Sequence, residues 1–210
     1  MRKRNLNKEM IITILALAWP TMLEQLMQTA VQYIDIAMIG SLGTDATAAV
    51  GATTTINWLV GSSISALGIG FLAFVARARG AKDDKHAREI VAQPVFVCLV
   101  VGILFTVLTV GLSPLVPRLM QVEEGIQNMA GRYFMILYLP MLPRTASIIF
   151  GTVLRAAGDT KTPMKVGVIV NIMNVVLNFL LIYPTRQLTL LGLTVTMPGA
   201  GLGVIGAAIA

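Results

Sequence analysis

The chain has 210 residues, of which 56% are hydrophobic and 12% are charged, and its formal net charge is +6 at pH 7. This balance excludes an ordinary soluble domain, because such a domain needs a polar surface around one core. The basic residues alternate between successive gaps instead of forming one patch, so no nucleic-acid partner is expected. The single cysteine, Cys98, excludes an internal disulfide.

Long apolar stretches follow one another along the chain, and the charges are confined to the gaps between them. Five stretches are long enough for helices that cross a hydrocarbon layer of ~30 Å. They cover residues 10–40, 46–76, 89–112, 126–154 and 164–184, and a sixth begins at residue 204. We expect an all-α integral membrane bundle of five full spans and the start of a sixth, which is the amino-terminal piece of a longer polypeptide.

The distribution of basic residues predicts the orientation of these spans. Twelve lie before span one, between spans two and three, or between spans four and five. The opposite gaps hold only Arg118, Arg132 and Arg186. Because cytoplasmic loops carry the excess of lysine and arginine, the amino terminus of this multi-pass protein is predicted to lie in the cytoplasm, and the protein in the cytoplasmic (inner) membrane.

Span one carries a proline and a polar stripe. Pro20 removes a backbone hydrogen bond and is predicted to act as a hinge. Beyond it, spacings of four, four and three place four polar side chains on one helix face: Glu24, Gln28, Gln32 and Asp35. A charge in hydrocarbon costs at least ~2.5 to 3.5 kcal/mol, so this stripe should line a water-filled cavity or meet partners on another helix.

Span four contains a basic residue at membrane depth. Arg144 precedes the cytoplasmic Arg155 by 11 residues, which is ~16 Å of helix. An intramembrane arginine is a candidate for contact with a substrate, but an arginine that fixes helix packing would give the same pattern. Both alternatives stay open at the level of sequence.

Span five places three amides on one face, since Asn171, Asn174 and Asn178 are three and four residues apart. Amide oxygens can coordinate hard cations, and amide nitrogens can donate to a carboxylate. This face is a plausible counterpart to Asp35. Contacts between helices without any ligand are the alternative.

Two sets of features argue against enzyme chemistry. The stretch GLGVIG, residues 201–206, matches a dinucleotide-binding pattern, but it follows a short extended segment in a loop between membrane spans, where a hairpin and turn are expected. His86 is the only histidine and lies in a charged loop, so no metal cluster or catalytic set of residues can be assembled.

Several motifs together resemble those of the multidrug and toxic compound extrusion transporters. They are the first-helix proline followed by DIAMIGSLG from Asp35, the loop RAAGDTKTPM, the N-x3-N pattern of span five, and GLGVIGAAIA at residues 201–210. The resemblance runs from about residue 10 to 210 and implies the amino-terminal lobe of a transporter with 12 helices in two lobes. Such transporters exchange a proton or sodium ion for organic, often cationic, compounds by alternating access.

The resemblance also implies roles for individual residues. Asp35 matches the acid of a cation site shared with Asn174 and Asn178, and Tyr133 falls at the position of a polar aromatic in the fourth helix. The cavity would also be lined by other polar residues of spans one, four and five: Glu24, Gln28, Gln32, Arg144 and Asn171. Some family members have a second carboxylate where this chain has Asn178. A lone carboxylate in a poorly hydrated site favours a proton over sodium as the coupling ion, and no other cofactor is expected.

Other functions stay open at this stage. A flippase for lipid-linked headgroups would line its cavity with several arginines, whereas Arg144 alone qualifies here. A membrane scaffold without transport activity is a further alternative. For a transporter, the expected partners are small amphiphilic or cationic substrates, membrane lipid and a carboxy-terminal lobe.

Overall fold

The structure, a computed structural model, describes the backbone at residues 2–81, 84–190 and 193–210 and the side chains at 8–78, 80–81, 92–187 and 196–210. His86 therefore lies outside the described side chains. The chain forms helices α1 Arg2–Gly40, α2 Thr44–Gly80, α3 Asp84–Leu112, α4 Val116–Leu119, α5 Glu124–Tyr138, α6 Met141–Ala156, α7 Lys161–Ile182 and α8 Val204–Ile209. Two strands, β1 Pro184–Leu190 and β2 Leu193–Ala200, lie between α7 and α8.

The predicted all-α membrane bundle is confirmed. Among the described residues, four helical segments are long and apolar enough to cross a membrane: Lys8–Gly40, Thr44–Ala78, Ala92–Leu112 and Lys161–Ile182. The bent pair of α5 and α6, counted as one span, is the fourth in chain order and brings the number of spans to five. Apolar side chains such as Trp58 and Phe96 are at least 70% exposed, which suits contact with lipid.

The fourth span, predicted over 126–154, is not one continuous helix. It breaks after Tyr138, and α5 and α6 meet at an angle of 50°. Pro140 and Pro143 explain the break, since neither can donate a backbone hydrogen bond. A new helix can nevertheless begin there, because the first N–H groups of a helix have no intrahelical partner.

Span one behaves differently at its proline. α1 continues as helix through Pro20, which is buried. The helix has lost the hydrogen bond that the Pro20 nitrogen would have made. The hinge at Pro20 stays a prediction.

Two apolar clusters hold the bundle together. The larger lies among α2, α3, α5 and α6, where Ile64, Tyr138 and Ile149 are fully buried. The smaller joins the end of α1 and the start of α2 to α5 and α8. α1 and α7 pack side by side along much of their length, which brings the polar faces of spans one and five together.

The segment after span five forms the expected hairpin. β1 and β2 pair antiparallel in a two-stranded sheet, whereas a dinucleotide-binding pattern requires a parallel βαβ unit. The glycines that follow make a turn, with φ of 65° at Gly201 and 57° at Gly203, and α8 begins at once. GLGVIG therefore serves as a turn and helix start.

Candidate functional site

The site centres on Asp35 of α1, which faces the amides of α7. Asn178 Nδ2 donates to Asp35 Oδ1 at 2.6 Å and to Asn174 Oδ1 at 3.2 Å. Asn178 is only 2% exposed, whereas Asp35 is half-buried. A single amide thus uses both of its hydrogens to connect a carboxylate with a second amide. The structure brings together the three residues for which the family resemblance implies a shared cation site.

The same amide keeps an unused acceptor. Asn178 Oδ1 is buried and has no hydrogen-bond partner among the described residues, which costs ~1 to 3 kcal/mol. An ionised Asp35 can only accept hydrogen bonds, so it selects the amide nitrogen. A protonated Asp35 could instead donate to Oδ1 after the amide rotates. The Asn178 amide can therefore form a hydrogen bond with Asp35 in its ionised state and in its protonated state.

Tyr133 of α5 lies in the smaller apolar cluster, together with Ile39 of α1. The residue is 8% exposed. The role of a polar aromatic near the acid, which the family resemblance implies for it, stays a prediction.

Arg144 joins helices instead of meeting a carboxylate. Its Nη2 donates to Asn57 Oδ1 of α2 at 2.9 Å, and the Tyr138 hydroxyl donates to the same oxygen at 3.3 Å. The Arg144 guanidinium also lies 5.9 Å from the Tyr138 ring centroid. These contacts brace the start of α6, just after the break, against α2. Arg144 was a candidate either for contact with a substrate or for fixing helix packing, and these contacts favour helix packing.

Glu24 lies in a buried ion pair and not on an open surface. It is 8% exposed, and Arg155 Nη2 donates to both of its carboxylate oxygens at 2.8 and 2.9 Å. Gly167 of α7 leaves room for it, since a Cβ there would lie 3.3 Å from Glu24 Cγ. The pair ties α1 to α6. The sequence did not reveal it, because the partners are 131 residues apart.

The polar stripe of α1 therefore divides into two groups. Glu24 and Asp35 face other helices, whereas Gln28 and Gln32 are exposed. Gln32 borders a small open cavity of about 180 Å³. Asn171 is half-buried, and its Nδ2 has no partner among the described residues. It does not join the hydrogen-bonded chain of Asn174 and Asn178.

A second contact between α1 and the end of α7 lies near this site. Tyr183 OH and Ser41 Oγ are 2.8 Å apart. The Arg186 guanidinium lies 4.0 Å from the Tyr183 ring centroid and 4.3 Å from that of Phe179, so it covers both rings. This contact was not predicted. A basic residue close to two aromatics at the end of a span was the available signal, but nothing in the sequence pointed to Ser41.

The sequence model of the MatE family matches residues 20–180. The chain belongs to the MatE family. It is 28% identical over 170 residues to the probable multidrug resistance protein NorM of Thermotoga maritima, and 32% identical over 161 residues to the probable multidrug resistance protein YpnP of Bacillus subtilis. These alignments cover 81% and 75% of this chain but only 37% and 36% of the relatives.

Solved transporter structures share the fold of this chain. One is a MOP superfamily transporter from Pyrococcus furiosus, described as having a binding pocket of reverse polarity, with a TM-score of 0.81 and 25% identity. Another is a multidrug resistance MATE family transporter in an outward-facing conformation, with a TM-score of 0.82 and 25% identity. Each comparison covers 93% of this chain and 40% of the other. The chain thus belongs to a family of multi-pass membrane transporters and spans less than half the length of these relatives.

Proposed function

We propose that this MatE chain is the amino-terminal lobe of a cation-coupled antiporter, which exports organic, often cationic, compounds across the cytoplasmic membrane by alternating access. The observation that carries this proposal is the Asp35 carboxylate, held within the bundle by the amide of Asn178. The cytoplasmic amino terminus predicted from the loop charges belongs to the same proposal.

The contrast between the two acids of α1 supports Asp35 as the ion-binding group. Glu24 is neutralised by Arg155 at 2.8 Å. Among the described residues, Asp35 has no cation within 4 Å and is held by a neutral amide. Since an isolated charge in a membrane is costly, Asp35 is stabilised whenever a proton or metal cation neutralises it. That property is what ion coupling requires.

Several features favour a proton over sodium as the coupling ion. Asn178 stands where a second carboxylate would strengthen a sodium site, and it presents its nitrogen to Asp35. Sodium would require the amide oxygens to turn towards the ion. Protonation requires only that the Asn178 amide rotate, because its free Oδ1 can then accept from the acid.

Alternating access would follow if neutralisation of Asp35 changes how α1 packs on α7. The ionised form favours the present contact, in which Asn178 donates. The neutral form no longer needs that donor, so the equilibrium between two arrangements of α1 shifts. Pro20 is the proposed hinge for this movement, because the helix has one hydrogen bond fewer there.

The test uses the intact protein in proteoliposomes, with substrate efflux driven by an imposed proton or sodium gradient. Asp35→Asn is expected to abolish ion-driven efflux while insertion into the membrane is retained. Glu24→Gln removes the other carboxylate of α1: it is expected to weaken the ion pair with Arg155 and to lower stability, while the inserted protein retains ion-driven efflux. Normal coupled transport by Asp35→Asn would remove this carboxylate from the mechanism.

The flippase alternative receives less support. Of the two arginines in α6, Arg155 is paired with Glu24 and Arg144 is bonded to Asn57. Neither presents an unoccupied guanidinium to a headgroup phosphate near Asp35. A scaffold without transport activity would not respond to either ion gradient in the same proteoliposomes.

A further inference from the structure

A second polar cavity lies where α3 ends and α5 begins, and Asp35 is not among the residues that line it. It is open, has a volume of about 420 Å³, and is lined by residues of α4 and α5 together with the turn after α3. Since α1, α2 and α3 cross the membrane in succession, this cavity lies at the membrane surface opposite the amino terminus.

The charges of this cavity are unbalanced. Arg118 of α4 and Arg132 of α5 line it together with Glu124, which gives a net charge of +1. All three side chains are exposed, and among the described residues neither arginine has a carboxylate within 4 Å. Gln127 and Asn128 add amide groups to the lining. Two arginines with unused donors form a site for phosphate oxygens, which guanidinium groups bind in a fork geometry.

The surface beside the cavity changes from polar to apolar along α5. Glu124, Asn128 and Arg132 follow each other at intervals of four residues, on one face of the helix. Towards the membrane interior come Met135 of α5, which is 42% exposed, and Leu139, which directly follows α5 and is 62% exposed. Met135 itself lines the cavity. A ligand at this place would therefore meet charge at one end and hydrocarbon at the other.

Residues in and next to α4 add further apolar surface beside the cavity. Val116 and Pro117 are buried against the bundle, whereas Leu115 is 44% exposed and Leu119 is 69% exposed. Arg118 thus emerges from a short helix that turns leucines outward beside the cavity. This combination is typical of a helix that lies at the membrane interface.

We infer that this cavity binds an anionic phospholipid with a hydroxylated headgroup, such as phosphatidylglycerol. The lipid phosphate lies between Arg118 and Arg132, and the acyl chains run along Met135 and Leu139. The headgroup hydroxyls donate to the oxygens of Asn128 and Glu124. The single net positive charge favours one negative charge on the lipid, and Glu124 disfavours a second.

The test is a titration of the intact, delipidated protein with phosphatidylglycerol, phosphatidylethanolamine and phosphatidylcholine, followed by native mass spectrometry. Phosphatidylglycerol is expected to bind most tightly. Arg118→Gln and Arg132→Gln should each weaken it about tenfold, as expected for the loss of a charged hydrogen-bond donor. Arg186→Gln is the matched control, because it removes one charge at the same membrane surface outside the cavity.

Two further measurements keep the test decisive if an arginine variant folds poorly. Glu124→Gln should tighten binding of phosphatidylglycerol, because it removes the one negative charge of the lining. An excess of inorganic phosphate should not displace the lipid, since phosphate lacks the acyl chains that contact Met135 and Leu139. Equal retention of the three lipids, unchanged binding in Glu124→Gln, or displacement by inorganic phosphate would each overturn the inference.

Discussion

Asn178 donates to Asp35 at 2.6 Å from a position that is 98% shielded, and the same nitrogen reaches Asn174 at 3.2 Å. The carboxylate is therefore oriented by an amide chain that carries no charge. Glu24, eleven residues earlier on α1, is held by a guanidinium instead. One helix thus contains an acid that is paired with a guanidinium and an acid that, among the described residues, has no basic partner within 4 Å.

The first prediction concerns this amide bridge. Asn178→Ala should reduce ion-driven efflux by about tenfold or more, because a hydrogen bond to a charged group contributes ~1.5 to 3 kcal/mol. Asn171→Ala is the matched control on the same helix, and it should change efflux less than twofold, since the Asn171 amide nitrogen has no described partner. The measurement is the initial rate of substrate efflux in proteoliposomes at a fixed proton gradient. Equal rates for the two variants would contradict a role for the bridge.

The ion pair between Glu24 and Arg155 leads to the second prediction. Glu24→Ala leaves a largely buried guanidinium without its partner, and we expect a loss of about 3 kcal/mol in unfolding free energy, the low end for breaking a buried pair, because the Arg155 side chain is 26% exposed. Arg155→Met combined with Glu24→Leu should recover much of this loss, since both charges are then absent. Chemical unfolding in detergent measures the free energies. If the double variant were no more stable than Glu24→Ala, the unpaired Arg155 charge would not be the cause of the lost stability.

The sequence predicted the spans well because a membrane imposes strong and local constraints. Each stretch had to be apolar over ~20 residues, and that property is readable without tertiary contacts. The break in span four is also local, yet the continuous apolar pattern masked it. Pro140 and Pro143 were visible, but a proline in a membrane helix is compatible with a kink, a hinge or a full break.

The candidate site was predictable only in part, for a different reason. Spacing placed Asp35 on one helix face and Asn174 and Asn178 on another, and the family resemblance joined the two faces. Spacing alone could not separate Glu24 from Asp35, because both lie on the same stripe. Glu24 and Asp35 have different hydrogen-bond partners, which lie 131 and 143 residues away in the chain. Such long-range pairing cannot be read from the pattern of a single helix.

The third prediction concerns a close approach between α7 and α8. A Cβ at Gly206 would lie 2.6 Å from the backbone carbonyl carbon of Leu181, so Gly206→Ala forces the two backbones apart. We expect the free energy of unfolding to fall by about 1 to 3 kcal/mol, as for other overpacked sites. Gly51→Ala is the control, because a Cβ at Gly51 meets nothing within 4 Å. That substitution should be neutral or stabilising by up to ~1 kcal/mol, since alanine is the better helix former. Thermal unfolding in the same detergent checks this: the midpoint should fall for Gly206→Ala and should stay unchanged or rise for Gly51→Ala.

The fourth prediction uses the loop before α7, which lies outside the membrane spans. Hydrogen bonds from Thr162, through its side chain and its backbone N–H, and a further one from the Lys161 N–H hold the pKa of Asp159 below its ordinary value. A depressed pKa in the folded state means that ionised Asp159 adds stability above the pKa of the unfolded chain, and that this contribution disappears as the pH falls through the folded value.

Asp159→Ala should therefore lower the thermal midpoint at pH 6. The difference from the unmodified protein should begin to shrink below pH ~4, where the carboxyl of the unfolded chain is protonated, and should disappear as the pH falls through the lower pKa of the folded state. Asp159→Asn is the control, because its side-chain oxygen can still accept from the N–H groups at the start of α7 without titrating. Its difference from Asp159→Ala should stay constant with pH. A gap between the unmodified protein and Asp159→Ala that is the same at pH 3 and pH 6 would show that the cap acts through geometry alone, and that the charge of Asp159 contributes nothing.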